Sequence, residues 1–106
     1  MRTPFPENVP GDWYVEKDCC IICAVPLVVA PDLFSWAMRP DGSEVDHCYV
    51  SRQPQSEPEL DRMIEAARGA EVECIRYRGL EARVRARIRE RQADNAIDVP
   101  DWMLKR

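Results

Sequence analysis

The chain has 106 residues, 45% of them hydrophobic and 32% charged, with a formal net charge of −4; this is one domain's worth of core and argues against fibrous, disordered or membrane-embedded classes. The charge is unevenly laid out, because six basic and fourteen acidic residues up to Glu73 give −8, whereas nine basic and five acidic from Cys74 onward give +4. An acidic body makes nucleic acid an unlikely main partner and suits steering onto a basic protein surface.

In chain order, residues 1–12 hold Pro4, Pro6 and Pro10 and read as an irregular arm. Trp13-Tyr14-Val15 is aromatic and β-branched, so a short strand is expected there. Cys19 to Val29 reads as a cysteine-bearing loop passing into a short apolar turn or helix, ended at Pro31-Asp32 because proline disfavours helical geometry in its predecessor. Leu33–Met38 alternates as a strand, Pro40-Asp41-Gly42-Ser43 is a turn, and His47–Ser51 returns, which makes a hairpin. Ser56 followed by Glu59 is a capping box, and Leu60, Met63, Ile64 and Ala67 then share one helical face up to a stop at Gly69. Val72–Arg78 is expected as a last strand, with Ile75 and Tyr77 on one face and Cys74 on the other. Leu80–Gln92 is expected as a helix with a narrow stripe of Leu80, Val84 and Ile88, its other surface carrying Arg83, Arg85, Arg87, Arg89 and Arg91. Asp94–Arg106 reads as a loose tail whose Trp102, Met103 and Leu104 dock onto something, the body itself being one candidate.

Met1–Pro6 has no apolar signal core, and the most apolar run, Cys19–Ala30, is too short to cross a bilayer. A cytoplasmic protein with no membrane partner is therefore expected. Five cysteines are many for this length. In a reducing compartment, close-set cysteines read as metal-binding or catalytic rather than as disulfides. Cys20-x-x-Cys23 puts two thiolates on one tight loop, and soft thiolates select zinc, copper(I) or iron–sulfur clusters. No Ser/His/Asp triad, paired carboxylates or glycine-rich phosphate loop is visible, so no enzyme is expected.

The surroundings sharpen that loop. Val15-Glu16-Lys17-Asp18, then Cys20 and Cys23, then Ala30-Pro31-Asp32-Leu33-Phe34, then the acidic segment from Gln53-Pro54 to Ala66-Ala67 and the closing Val72–Tyr77, resemble the small bacterial single-cluster ferredoxins in order and spacing over roughly two-thirds of the chain. The resemblance implies an α+β, ferredoxin-like small sheet with two helices over 13–79, followed by an arginine-rich C-terminal helical extension over 80–106. It also implies a 4Fe-4S or 3Fe-4S cluster and single-electron transfer with a redox partner protein. Cys20 and Cys23 match the first two ligands. Pro26 stands at the third cysteine's place, and Ala70-Glu71 at the fourth ligand's Cys-Pro.

A rearranged ligand set would draw on Cys20, Cys23 and Cys74 with either Cys19 or Cys48. His47 is a weaker candidate, read first as a surface strand residue, and Cys48 is read first as core. The alternative is a cluster-free ferredoxin scaffold acting as an accessory, adaptor or inhibitor, with Arg83, Arg87 and Arg91 as its partner-binding face. A third reading is structural zinc on the same cysteines. Trp13, Tyr14, Phe34, Trp36 and Tyr49 are expected to form the core.

Overall fold

The computed structural model describes residues 3–19, 24–70 and 73–104. Strand β1 (Trp13–Val15) buries all three of its side chains, which its aromatic and β-branched residues favour. It pairs antiparallel with β4 (Ile75–Tyr77), Trp13 opposite Tyr77 and Val15 opposite Ile75. The expected hairpin forms from β2 (Phe34–Met38) and β3 (Val45–Val50), with Phe34 opposite Val50 and Trp36 opposite Cys48. Its turn is held by Asp41, whose Oδ1 accepts from the Ser43 amide at 2.9 Å and the Ser43 hydroxyl at 2.6 Å. Gly42 there takes a φ of 74°, a left-handed value that glycine adopts without strain.

The two sheets are joined by the proline-containing arm. Asn8 Oδ1 accepts from the Val15 amide at 3.1 Å and the Val50 amide at 2.9 Å, while Nδ2 donates to the Val15 carbonyl at 2.9 Å. One side chain thus occupies edge groups of both β1 and β3, which would otherwise need water or another strand. Gln53 does the same at Trp13, accepting from its amide at 3.1 Å and donating to its carbonyl at 2.8 Å. The irregular arm is therefore part of the sheet architecture.

Helix α1 (Val25–Val29) carries Pro26 in its first turn. Helix α2 (Glu57–Gly69) begins where its capping signal puts it: Ser56 accepts from the Glu59 amide at 3.3 Å, and Glu59 reaches back to accept from the Gln55 amide at 2.9 Å. Leu60, Met63, Ile64, Ala66 and Ala67 are its buried face. Helix α3 (Ala82–Glu90) buries Val84 and Ile88, whereas Leu80 is 61% exposed, so the apolar stripe starts one turn later than expected. Trp13, Tyr14 and Phe34 are buried, and Trp36 and Tyr49 half-buried. Among the described residues this is a small α+β domain with three α-helices and two small antiparallel sheets, compatible with a ferredoxin-like architecture.

The C-terminal segment joins the same core. Val84, Ile88, Ala93 and Ala96 belong to the apolar cluster of the sheets and α2. Ile97 bridges in parallel to Tyr77, and the Asp98 amide donates to the Tyr77 carbonyl at 2.9 Å. Arg76, buried in β4, binds Asp98 at 2.7 Å. The tail expected to be loose is thus pinned through Ala93–Asp98. Trp102, Met103 and Leu104, expected to dock, are instead 74%, 58% and 42% exposed.

Charge fastens α3 to α2. Arg87 makes a bidentate pair with Asp61 at 2.9 Å for each bond, Arg91 approaches Asp61 at 3.4 Å, and Arg83 binds Glu57. The Arg87 hydrogen bonds hold the Asp61 carboxyl below the usual aspartate range, and Arg85 first, then Arg89, does the same for Asp101. A depressed folded pKa contributes stability above the ordinary value of about 3.9, and that contribution is lost as pH falls through the folded value. The thermal midpoint should accordingly hold level from neutral pH to about 5 and fall below about 4. Asp61→Asn should flatten the acid limb, as read by circular dichroism melts across that range; an unchanged limb would refute the assignment.

Candidate functional site

The sulfur chemistry gathers where the loop after β1 meets the start of β4. Cys19 and Cys74 form a disulfide, with S–S 2.07 Å and Cα–Cα 5.6 Å across 55 residues of sequence. The neighbouring backbone aligns the two segments, since the Glu16 amide donates to the Cys74 carbonyl at 2.8 Å. Asp18 turns the chain with a φ of 63°. The expectation that these thiols serve a metal rather than a disulfide is therefore corrected for this pair: antiparallel pairing of β1 with β4 brings the two chain ends of the pair to bonding distance. Cys20 and Cys23 lie outside the described residues. Cys48 is 4% exposed and packs in the core cluster, opposite Trp36 on β2.

His47 is also corrected. Far from being a surface residue, it is 5% exposed and stacks on Phe5 with ring centroids 3.9 Å apart. Its Nε2 accepts from the Asp18 amide at 3.2 Å, so Nδ1 carries the proton and donates to the Cys48 carbonyl at 2.7 Å. Both nitrogens of a neutral imidazole are thereby occupied, leaving neither for a metal. The ring instead links the cysteine loop to β3.

Among the described residues, the candidate sulfurs are not gathered as free thiolates. Two candidate sulfurs are bonded to each other. Pro26, buried in α1, and Ala70, the C-cap of α2, stand where the expected resemblance would put the third and fourth ligands, and neither side chain has a donor atom. Among the described residues no group of three or more His, Cys, Asp and Glu side chains is disposed to hold a metal ion.

The arginine face is spent internally. Arg83, Arg87 and Arg91 each pair with an acidic residue of α2, and Arg83 also lies 3.4 Å from Glu81. The signal was in the sequence as two complementary stripes, acidic from Glu57 to Asp61 and basic from Arg83 to Arg91, which face one another once the helices pack. A feature with no motif is a cleft of about 600 Å³ between β1, β4 and the first turns of α2 and α3. Asp12, Trp13, Tyr77, Glu57, Glu81 and Arg83 line it. It is assembled from four separate segments, which is why no local pattern announces it. No helix among the described residues is long and apolar enough to cross a membrane. Comparison with protein-family models, curated proteins and solved structures finds no match to this chain.

Proposed function

We propose that this chain is a disulfide-braced recognition module on a ferredoxin-like scaffold, acting by protein–protein contact as an accessory or adaptor and not as a catalyst. The observation that carries this reading is the Cys19–Cys74 bond, which takes up two sulfurs of the candidate ligand set while Pro26 and Ala70 offer none. A scaffold of this kind keeps its packing after its inorganic chemistry is gone. Trp102, Met103 and Leu104 in the C-terminal segment supply exposed apolar area of the sort that contact surfaces use. Disulfides persist in oxidising surroundings, so this reading places the working protein outside a reducing cytosol.

The electron-carrier reading, with a 4Fe-4S or 3Fe-4S cluster and a redox partner, is favoured by one observation. The bond ties Cys74 to the residue beside Cys20, so reduction would leave thiols of both segments near the Cys20–Cys23 loop. Structural zinc draws on the same sulfurs. Anaerobic purification with iron, acid-labile sulfide and zinc assays separates the three. The recognition module is expected to carry substoichiometric metal, and to release a Cys19–Cys74 linked peptide pair on non-reducing digestion. One cluster or one zinc per chain would overturn it.

A further inference from the structure

We propose that the cleft between β1, β4 and the N-termini of α2 and α3 binds an alkylammonium group, from a lysine side chain or a free amine, held between the Asp12 carboxylate and the Tyr77 hydroxyl. The lysine source deepens the recognition reading and rests on it; ammonium binding itself does not, because no cysteine among the described residues lines the cleft.

The first ground is an unmet polar atom. Tyr77 is 2% exposed, and its hydroxyl is the buried side-chain polar atom that has no hydrogen-bond partner among the described residues. Leaving such a group dry costs its full desolvation, so native proteins keep few of them without a use. Burial, and next the Asp12 carboxylate, push its acidity down and keep it a neutral phenol; the Glu81 amide pulls the other way but falls short of hydrogen-bond geometry. The second ground is the position of Asp12. Its carboxylate is exposed and makes no hydrogen bond or ion pair among the described residues, yet it sits beside the phenol: a methyl group on Gly79 would overlap both the Tyr77 hydroxyl and Asp12 Oδ2. A carboxylate and a phenol oxygen are thus neighbours on one side of Gly79.

The third ground is the sign of the field. Asp12, Glu57 and Glu81 line the cleft against one guanidinium, Arg83, which is taken by Glu57 and Glu81. Two helix N-termini open on the same space and add about half a positive charge each. That leaves the cleft net negative, so an anion is disfavoured and a cation attracted. Two neighbouring cations are already taken: Arg78 is turned to the Gly11 carbonyl at 2.8 Å and to the Tyr14 ring, and the buried Arg85, which donates to the Gly79 carbonyl at 3.4 Å, is paired with Asp101 at 3.0 Å. Trp13 gives the cleft an apolar wall for the methylene stem of an alkylamine.

The test is a titration of the oxidised, 15N-labelled full chain with cadaverine, with an acetylated lysine amide and with its norleucine analogue, following the backbone amides of Asp12, Trp13 and Gly79. Saturable shifts with cadaverine or the lysine amide, absent with norleucine and weakened by salt, are expected. One charge-assisted hydrogen bond is worth on the order of tenfold, so Asp12→Asn should weaken binding about tenfold or more. Tyr77→Phe should weaken it less and leave the melting temperature unchanged or raised, since it removes an orphaned group. Cadaverine binding without the lysine amide assigns the site to a free amine; binding of both admits a protein ligand. Shifts of equal affinity in Asp12→Asn, or acetate binding at the same amides in place of the amines, would overturn the proposal, whatever the iron content.

Discussion

Replacing both Cys19 and Cys74 by serine should lower the unfolding free energy by about 4 kcal/mol, the chain-entropy value for a bond closing 55 residues. For a domain near 100 residues that corresponds to a fall in melting temperature on the order of 15 °C or more. The bond acts on the unfolded chain, which it denies the separation of the β1 loop from β4, and β4 is only three residues long. So short a ladder holds itself weakly, and a crosslink at Cys74, the residue just before it, does what further hydrogen bonds would do in a longer strand. Urea unfolding of the variant and of the oxidised parent is the measurement, with the parent in reductant as the reference for the open form. Coincident curves for variant and oxidised parent would mean that the bond is not formed in the working protein, and the recognition reading would lose its main support.

A second large effect is expected at Asp98. Its Oδ1 accepts from Arg76 Nε at 2.7 Å, and its Oδ2 accepts from the Tyr14 hydroxyl. The Arg76 side chain is 4% exposed and also donates to the Asn95 and Ile97 carbonyls. Asp98→Ala would leave a buried guanidinium without its counter-charge, which costs about 3–5 kcal/mol when one partner of a buried pair is removed. The tail from Ala93 to Asp98 should then detach from β4. Burial first, then the Asp98 hydrogen bond and charge, raise the Tyr14 phenol well above its ordinary range. A raised folded value stabilises below the ordinary tyrosine pKa of about 10, and that stability is lost as pH climbs beyond it. The parent should therefore weaken in alkali, and ultraviolet titration of Asp98→Ala should bring one phenol back toward that ordinary value. Adding Arg76→Met to Asp98→Ala should recover part of the loss, because the unpaired charge is gone. A variant as stable as the parent would show that the pair is not buried as described.

What the residues declare locally, they declared well. The Ser56–Glu59 cap, the apolar face of α2, the turn at Asp41–Gly42 and the β2–β3 hairpin each depend on neighbours a few positions apart, and period and turn chemistry are readable at that range. The α+β class follows from those elements. Tertiary structure alone decided the rest, because each remaining feature joins residues far apart in the chain. Cys19 meets Cys74 only after β1 finds β4, His47 is buried only because Phe5 folds over it, and the two charged stripes cancel only once α3 lies along α2. The cleft is the extreme case: Asp12 and Tyr77 are 65 positions apart and meet beside Gly79. Residue types and spacing carry no record of which distant partner closes a loop, since that choice is made by the summed burial of the whole core.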